Sequence, residues 1–502
     1  MRLSRSNRYA LFATVVLSTV IWSACNKGSD STMPAKADAG KVPITTKSEE
    51  ARKEFTEGRA LAEKLLAQDS LQHFDKAIAL DSDFASAELA RANTSPTAKE
   101  FFEHLNKAVA LADKSSEGEK LVILANQAGV NGDVAKQKAY LDQLVAAFPN
   151  DERAHFNLGG YYFGQQEFAP AIEHFKKATE IAPDYSQAYN LLGYAYRQQA
   201  DYANAEQAFQ KYISLIPNDP NPYDSYAELL LKMGKFDDSI VQYRKALSID
   251  PHFVPSHFGI AADLMYLGKP AEAQAELDTM ASQARNDGEL RTALFGMAVV
   301  ASDSGKFDKA QQQMDKEYAV AEKKSDTAAM AADLQAKGNI ALAAQNYSQA
   351  KQHFDRSLQL TEGSTLSSEI KENAKRAHHF NLTVIAIGNK NYAEAKTHAE
   401  EFQKGAEAST NSAQIKLSHE LWGRIALAEK NYDSAIAELN QANQQDPANL
   451  LRLGQAYEAK GDAAKAKEYF ARAAAFNSLP QLNYAFIRTK AQKWRMAKKP
   501  NF

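Results

Sequence analysis

Eleven histidines and a single cysteine are the side chains in this sequence best suited to metal or nucleophilic chemistry. His378 and His379 are adjacent, so on a helix they point about 100° apart and cannot chelate one ion together as residues a full turn apart do. His419 and Glu420 begin like the zinc helix of a metalloprotease, but Gly423 stands where the second histidine is needed. No phosphate-binding loop, dinucleotide glycine fingerprint or serine elbow occurs. Each histidine therefore reads as a surface or seam residue, and no catalytic residue, metal site or cofactor is expected. With Cys25 the only thiol, neither an internal disulfide nor a cysteine-rich metal site can form.

The surroundings of Cys25 suggest a targeting signal. Arg2, Arg5 and Arg8 precede the apolar run ALFATVVLSTVIW, which is too short for the ~20 residues that cross a bilayer and suits the core of a signal peptide. The run ends in Ser-Ala-Cys25, which resembles the lipobox of bacterial lipoproteins, although Trp22 stands where that family usually has Leu. The resemblance implies lipidation of Cys25, which would become the mature N-terminus. Asn26 rather than Asp after the cysteine implies sorting to the outer membrane. Residues 26–47 are small, polar and aperiodic and read as a flexible tether, about 75 Å long at full stretch. The formal charge of the whole chain is -3. Removing residues 1–25 takes away three arginines and no acid, leaving -3 - 3 = -6 and no general affinity for nucleic acid.

The remainder of the chain is periodic. Pro149, Pro183, Pro217 and Pro251 are spaced 34 residues apart, and Gly159, Gly193, Ala227 and Ala261 keep step with them. So do the small residues Ala171, Ala205, Ser239 and Ala273, and the large ones Phe175, Phe209, Tyr243 and Leu277. This pattern predicts pairs of helices in which a small residue on each helix lets the backbones approach, large side chains fill the seam, and proline ends the second helix. The period and pattern resemble the tetratricopeptide repeat. The resemblance covers most of the chain and implies an all-α, right-handed α-solenoid of about a dozen helical hairpins. The sequence divides into an N-terminal array (48–287), a C-terminal array with longer repeats (288–480) and a basic capping helix (481–502). The last carries apolar positions at Leu482, Phe486 and Trp494.

In this repeat family the first helix of each hairpin lines a concave groove. Carried onto the strongest units, the groove residues are Arg153, Phe156 and Asn157, then Gln187, Asn190, Tyr194, Arg197 and Gln198, then Asp224 and Glu228. The two-carboxylate clamp found in some members is absent: Phe156, Gly160, Leu191, Asn221 and Ser225 occupy its positions. The resemblances together imply a non-enzymatic scaffold or adaptor. It would be exported and lipid-anchored to the outer membrane, facing the periplasm or the cell surface, and would bind a protein or peptide without a small-molecule cofactor or nucleic acid. The alternative is a nutrient- or glycan-binding outer-membrane lipoprotein. Relatives of that kind carry long inserts rich in Trp and Gly, whereas this chain has three tryptophans and inserts of only about ten residues.

Overall fold

The computed structural model describes residues 40–491 except 480, 483, 486 and 489. The expected signal segment, Cys25, tether residues 26–39, Phe486 and Trp494 lie outside the described residues. Within them are 24 α-helices and no strand, an all-α solenoid of successive helical hairpins. The chain divides into two units, one reaching residue 229 and taking in 245–253, the other made of 230–244 and 254 onward. The helices Asn221–Lys232 and Phe236–Ile249 straddle the division. It therefore falls before the change of pitch expected near residue 288, because that change does not interrupt packing: the helix Asp287–Asp303 still packs on Pro270–Ser282 within one unit. What changes there is helix length. Helices up to Ser282 run 9–15 residues, and those from Asp287 to Ala428 run 16–21.

The seam inside each hairpin follows the sequence pattern. A Cβ added at Gly193 would lie 2.8 Å from the Phe209 ring, one at Gly159 2.7 Å from Phe175, and one at Gly454 2.9 Å from Phe470. Ala171, Ala205, Ala350 and Ala435 on the second helices are fully buried, as are Phe175, Phe209 and Phe354. The turn inside a hairpin requires one left-handed residue, and glycine fills it at Gly132, Gly305 and Gly461. Ala200, Gln345, Lys390 and Lys430 hold the same conformation at φ of 60–65°. Asp201, Asn346, Asn391 and Asn431 follow them and cap the second helix, each accepting the backbone N–H three residues on.

Residues 40–47 correct the tether expected over 26–47. They form an extended strap held by three carboxylates, those of Asp151, Glu119 and Asp81. Asp151 caps Glu152–Gly164 through Oδ1 and accepts the Val42 N–H on Oδ2 at 2.9 Å. Glu119 accepts the Thr45 N–H at 3.0 Å, and Asp81 accepts from both Thr46 and Lys47. Val42 is buried beside Leu121 and Phe148. At the other end, Leu482, Ala485, Ile487 and Ala491 are buried, the last two in the core of the last hairpin. Tyr266 donates to Ser478 O at 2.8 Å, and Arg488 pairs with Asp303.

One buried acid stands apart. Asp263, fully buried on the helix Val254–Tyr266, has its carboxyl pushed up to about 8 by burial, with the neighbouring Ser239 opposing the rise.

Two predictions follow from the seam and from this acid. Gly→Ala inside a helix ordinarily stabilises by about 0.5–1 kcal/mol, but Gly193→Ala must displace the Phe209 ring and should instead destabilise by about 1–3 kcal/mol. Thermal unfolding followed by circular dichroism measures the sign, and a raised melting temperature would disprove the seam constraint. For Asp263, the unfolded carboxyl titrates near 4, so between about 4 and 8 the native state holds the extra proton. Acidification through that window favours the fold, and a rise across it up to pH 8 costs stability. Asp263→Asn should flatten the decline in melting temperature between pH 5 and 8; an unaltered decline would count against the assignment.

Candidate functional site

The residues expected in the groove gather into two clusters on the first helices of the unit that reaches residue 229. Neither is a row of free side chains. Arg153, Phe156, Asn157, Gln187 and Asp224 are buried, whereas Asn190, Tyr194, Arg197, Gln198 and Glu228 are half-buried. The register explains this. Tyr194, just after the seam glycine, packs edge-on against Phe209 of its own hairpin and also reaches Glu228 on the next first helix.

The first cluster centres on Arg153. Its Nη1 donates to Glu152, which also takes the Lys41 ammonium of the strap, and its guanidinium lies 5.5 Å from the Tyr185 ring centroid. Phe156 contributes packing alone, at 5.7 Å from the Phe175 ring and 5.4 Å from Tyr185. Gln187 Nε2 donates to the carbonyl of Glu63, at the end of the helix Glu49–Glu63, at 2.5 Å. The first hairpin thus touches the fifth. From that same helix Arg59 enters the cluster, 2% exposed and 5.3 Å over the Phe55 ring. Its Nε and Nη1 make no hydrogen bond. Burial and the nearby Arg153 guanidinium push its pKa down to about 9, against the favourable charges of Glu63 and Asp151.

The second cluster is internally paired. Tyr194 donates its hydroxyl proton to Glu228 Oε1 at 2.9 Å, with Ser225 Oγ 3.3 Å away. Arg197 Nη1 meets Glu228 Oε2 at 3.0 Å, and its guanidinium lies 4.6 Å from the Tyr194 ring centroid. Burial first, then the Glu228 charge, raises the Tyr194 phenol well above its ordinary value, so it remains a donor. The Asn190 and Asn157 Oδ1 atoms and Arg197 Nε are buried without a hydrogen-bond partner. The Asp224 charge also acts on the Tyr194 phenol, in the same direction as that of Glu228.

Arg59 and Glu63 were not among the residues expected from sequence. A signal was present: Arg59 follows Gly58 as Tyr194 follows Gly193, so both occupy one register. The histidines held a second signal, because His155 and His174, like His379 and His398, stand 19 residues apart and meet across hairpin seams. Near Trp422 a small cavity of about 230 Å³ is lined by Gln403, Ile415, Ser418, His419 and Glu438. It is below the ~300–1,000 Å³ usual for small-molecule sites. Glu54, Glu57 and His73 bring three potential ligand atoms within 4.8 Å of one another.

Sequence profiles of the tetratricopeptide repeat match residues 151–218, 230–294 and 448–478. No curated protein matches the chain in sequence. Among solved structures, a tetratricopeptide repeat protein from Parabacteroides merdae is similar at 13% identity and a TM-score of 0.34, covering 57% of this chain and 99% of its own. The Cut9–Hcn1 hetero-tetramer of the APC/C is similar at 16% identity and a TM-score of 0.41, covering 84% of this chain and 76% of its own. The type IV pilus biogenesis factor PilW aligns at 17% identity and a TM-score of 0.32, covering 44% and 92%. The periodic small and large residues, the hairpins they build and the matching profiles agree: the chain carries tetratricopeptide repeats over these three stretches.

Proposed function

We propose that this protein is a non-enzymatic scaffold that holds a protein or peptide partner on the first-helix face of its N-terminal hairpins. A tetratricopeptide-repeat solenoid is a fold suited to protein–protein interaction, and the finer reading rests on one observation. Along that face, Asn157 Oδ1, Asn190 Oδ1, Arg197 Nε and two Arg59 nitrogens are buried with no hydrogen-bond partner. Each such atom costs about 1–3 kcal/mol while unpaired. A peptide backbone, carrying one donor and one acceptor per residue, is the chemistry that would satisfy them. Tyr194 and Phe156 differ in role: Tyr194 is half-buried and able to contact a ligand, while Phe156 holds the Arg153–Tyr185 cluster from beneath.

The same proposal places the protein at the cell envelope, exported and anchored to the outer membrane by a lipid on Cys25. What supports this is the apolar run ending at Ser-Ala-Cys25 and the Asn that follows it. No helix among the described residues is long and apolar enough to cross a membrane.

The unpartnered amides make the best test, since removing them breaks no internal hydrogen bond of their unpaired oxygens. Chemical crosslinking and pull-down from the native envelope should recover a partner with wild type and lose it, by about tenfold, with Asn157→Ala plus Asn190→Ala at unchanged helicity. Equal recovery by both proteins would rule out this face as the binding site. Metabolic labelling with a fatty acid should mark wild type and not Cys25→Ser; an unlabelled wild type would refute the anchor.

A further inference from the structure

Histidines recur at one register of the hairpins. His155 faces His174, His257 faces Glu276, His379 faces His398 and His419 faces Glu438, and in the first hairpin the order reverses, with Glu54 facing His73. Every one of these pairs is 19 residues apart. Where the partner is Glu, the carboxylate accepts from the imidazole Nδ1 at 2.5–2.7 Å. The roles there are set by chemistry, because a carboxylate is an acceptor.

The two His–His seams differ. Nδ1 lies 3.2 Å from Nδ1 in the first and 3.1 Å in the second. Two imidazole nitrogens that close repel if both present lone pairs, so a proton or a cation must lie between them. A tetrahedral zinc ion with bonds of about 2.0–2.1 Å sets its ligand nitrogens about 3.3 Å apart. With ring centroids 5.5 and 5.3 Å apart, the nitrogens face each other nearly head-on, so the seams need to open by only ~0.1–0.2 Å, but each ring must also pivot for both lone pairs to converge on one ion.

The second nitrogens fit as well. His155 Nε2 is 3.1 Å from the Pro149 carbonyl, to which only a protonated Nε2 can donate. That hydrogen bond leaves Nδ1 bare, the arrangement by which a backbone carbonyl orients a ligating histidine. In the second seam the Glu394 carboxylate lies 3.9 Å from His398 Nε2 on the side away from His379. Around the first seam stand Asp151, Glu180 and Lys177 beside His155, and Glu173, Asp142 and Lys138 beside His174. Around the second stand Glu401 beside His379 and the neighbouring His378 with its partner Asp355. Burial holds His155, His174 and His379 below the ordinary histidine range, so they are neutral near pH 7, the form that binds metal.

We propose that the His155–His174 and His379–His398 seams each chelate one divalent transition-metal ion of the Zn²⁺ class through their paired Nδ1 atoms, with water completing the coordination. In the first seam the proton on His174 Nδ1 moves through solvent to its own Nε2 as the ion enters, so no net proton is released. Each ion then cross-links the two helices of its hairpin.

The test is equilibrium dialysis of the full chain, free of any histidine tag, against Zn²⁺ at pH 7.5, with thermal unfolding measured in parallel. About two ions per chain are expected, falling to one in His174→Gln or in His398→Gln and to none in the double variant. Zn²⁺ should raise the melting temperature of wild type and not of the double variant, whose helicity in metal-free buffer shows that it folds. Absence of binding by wild type, or undiminished binding by the folded double variant, overturns the proposal. So does loss of the bound ions in His73→Gln alone, which would assign them to Glu54, Glu57 and His73.

Discussion

The hairpins depend on the close approach of a glycine on one helix to a large side chain sixteen residues later on the next. Gly159 with Phe175, Gly193 with Phe209, Gly423 with Leu439 and Gly454 with Phe470 are the same contact repeated. It sets how near two helices lie, and so which positions face the next hairpin and which face away. Any side chain at the glycine pushes the ring outward and changes both. The fully buried alanines of the second helices, such as Ala171 and Ala205, serve the same end from the other side. Interiors packed to crystalline density leave no slack for a methyl group at such a seam. The register of the polar residues on the first helices is thus inherited from a steric rule about apolar ones.

A solenoid has two open ends, and in each unit a terminal segment of the chain packs onto the array. The N-terminal strap adds an N–H to the spare oxygen of the helix-capping Asp151 and pairs Lys47 with Asp83. Two lysines beside Asp83 hold its carboxyl down at about 2. The C-terminal segment uses Arg488 on Asp303 and apolar contacts through Ile487 and Ala491. The basic residues of that segment therefore include at least one, Arg488, whose charge is spent inside the fold.

Within the N-terminal unit the first-helix face combines satisfied and unsatisfied polar chemistry. Arg197, Glu228 and Tyr194 neutralise and hold one another, which gives a fixed geometry and little net charge. Asn190, Asn157 and Arg59 retain unmet hydrogen-bonding capacity in a desolvated setting. A buried network of this kind is costly when half complete, and a ligand that completes it recovers that cost. The proposed role of this face rests on that asymmetry more than on any single residue.

The period of 34, the glycine and alanine registers and the turn residues are local or near-local features, and they suffice to read an all-α repeat from sequence. The seam contacts join residues sixteen to twenty apart, so their partners can be named by counting. The ten groove positions could likewise be placed on one face by register, but their exposure could not. That exposure depends on contacts such as Gln187 with Glu63, 124 residues away, and Val42 with Asp151, 109 away. No period in the sequence encodes distances of that order, because they arise from the small rotations summed over successive hairpins. For the same reason residues 40–47, polar and aperiodic, read as a tether: only the folded array supplies the carboxylates that order them. The sequence by itself determined which residues build each hairpin, because steric fit between neighbouring helices is a short-range property. The tertiary structure decided which polar groups are buried, paired or left wanting a partner, because that depends on where distant hairpins meet.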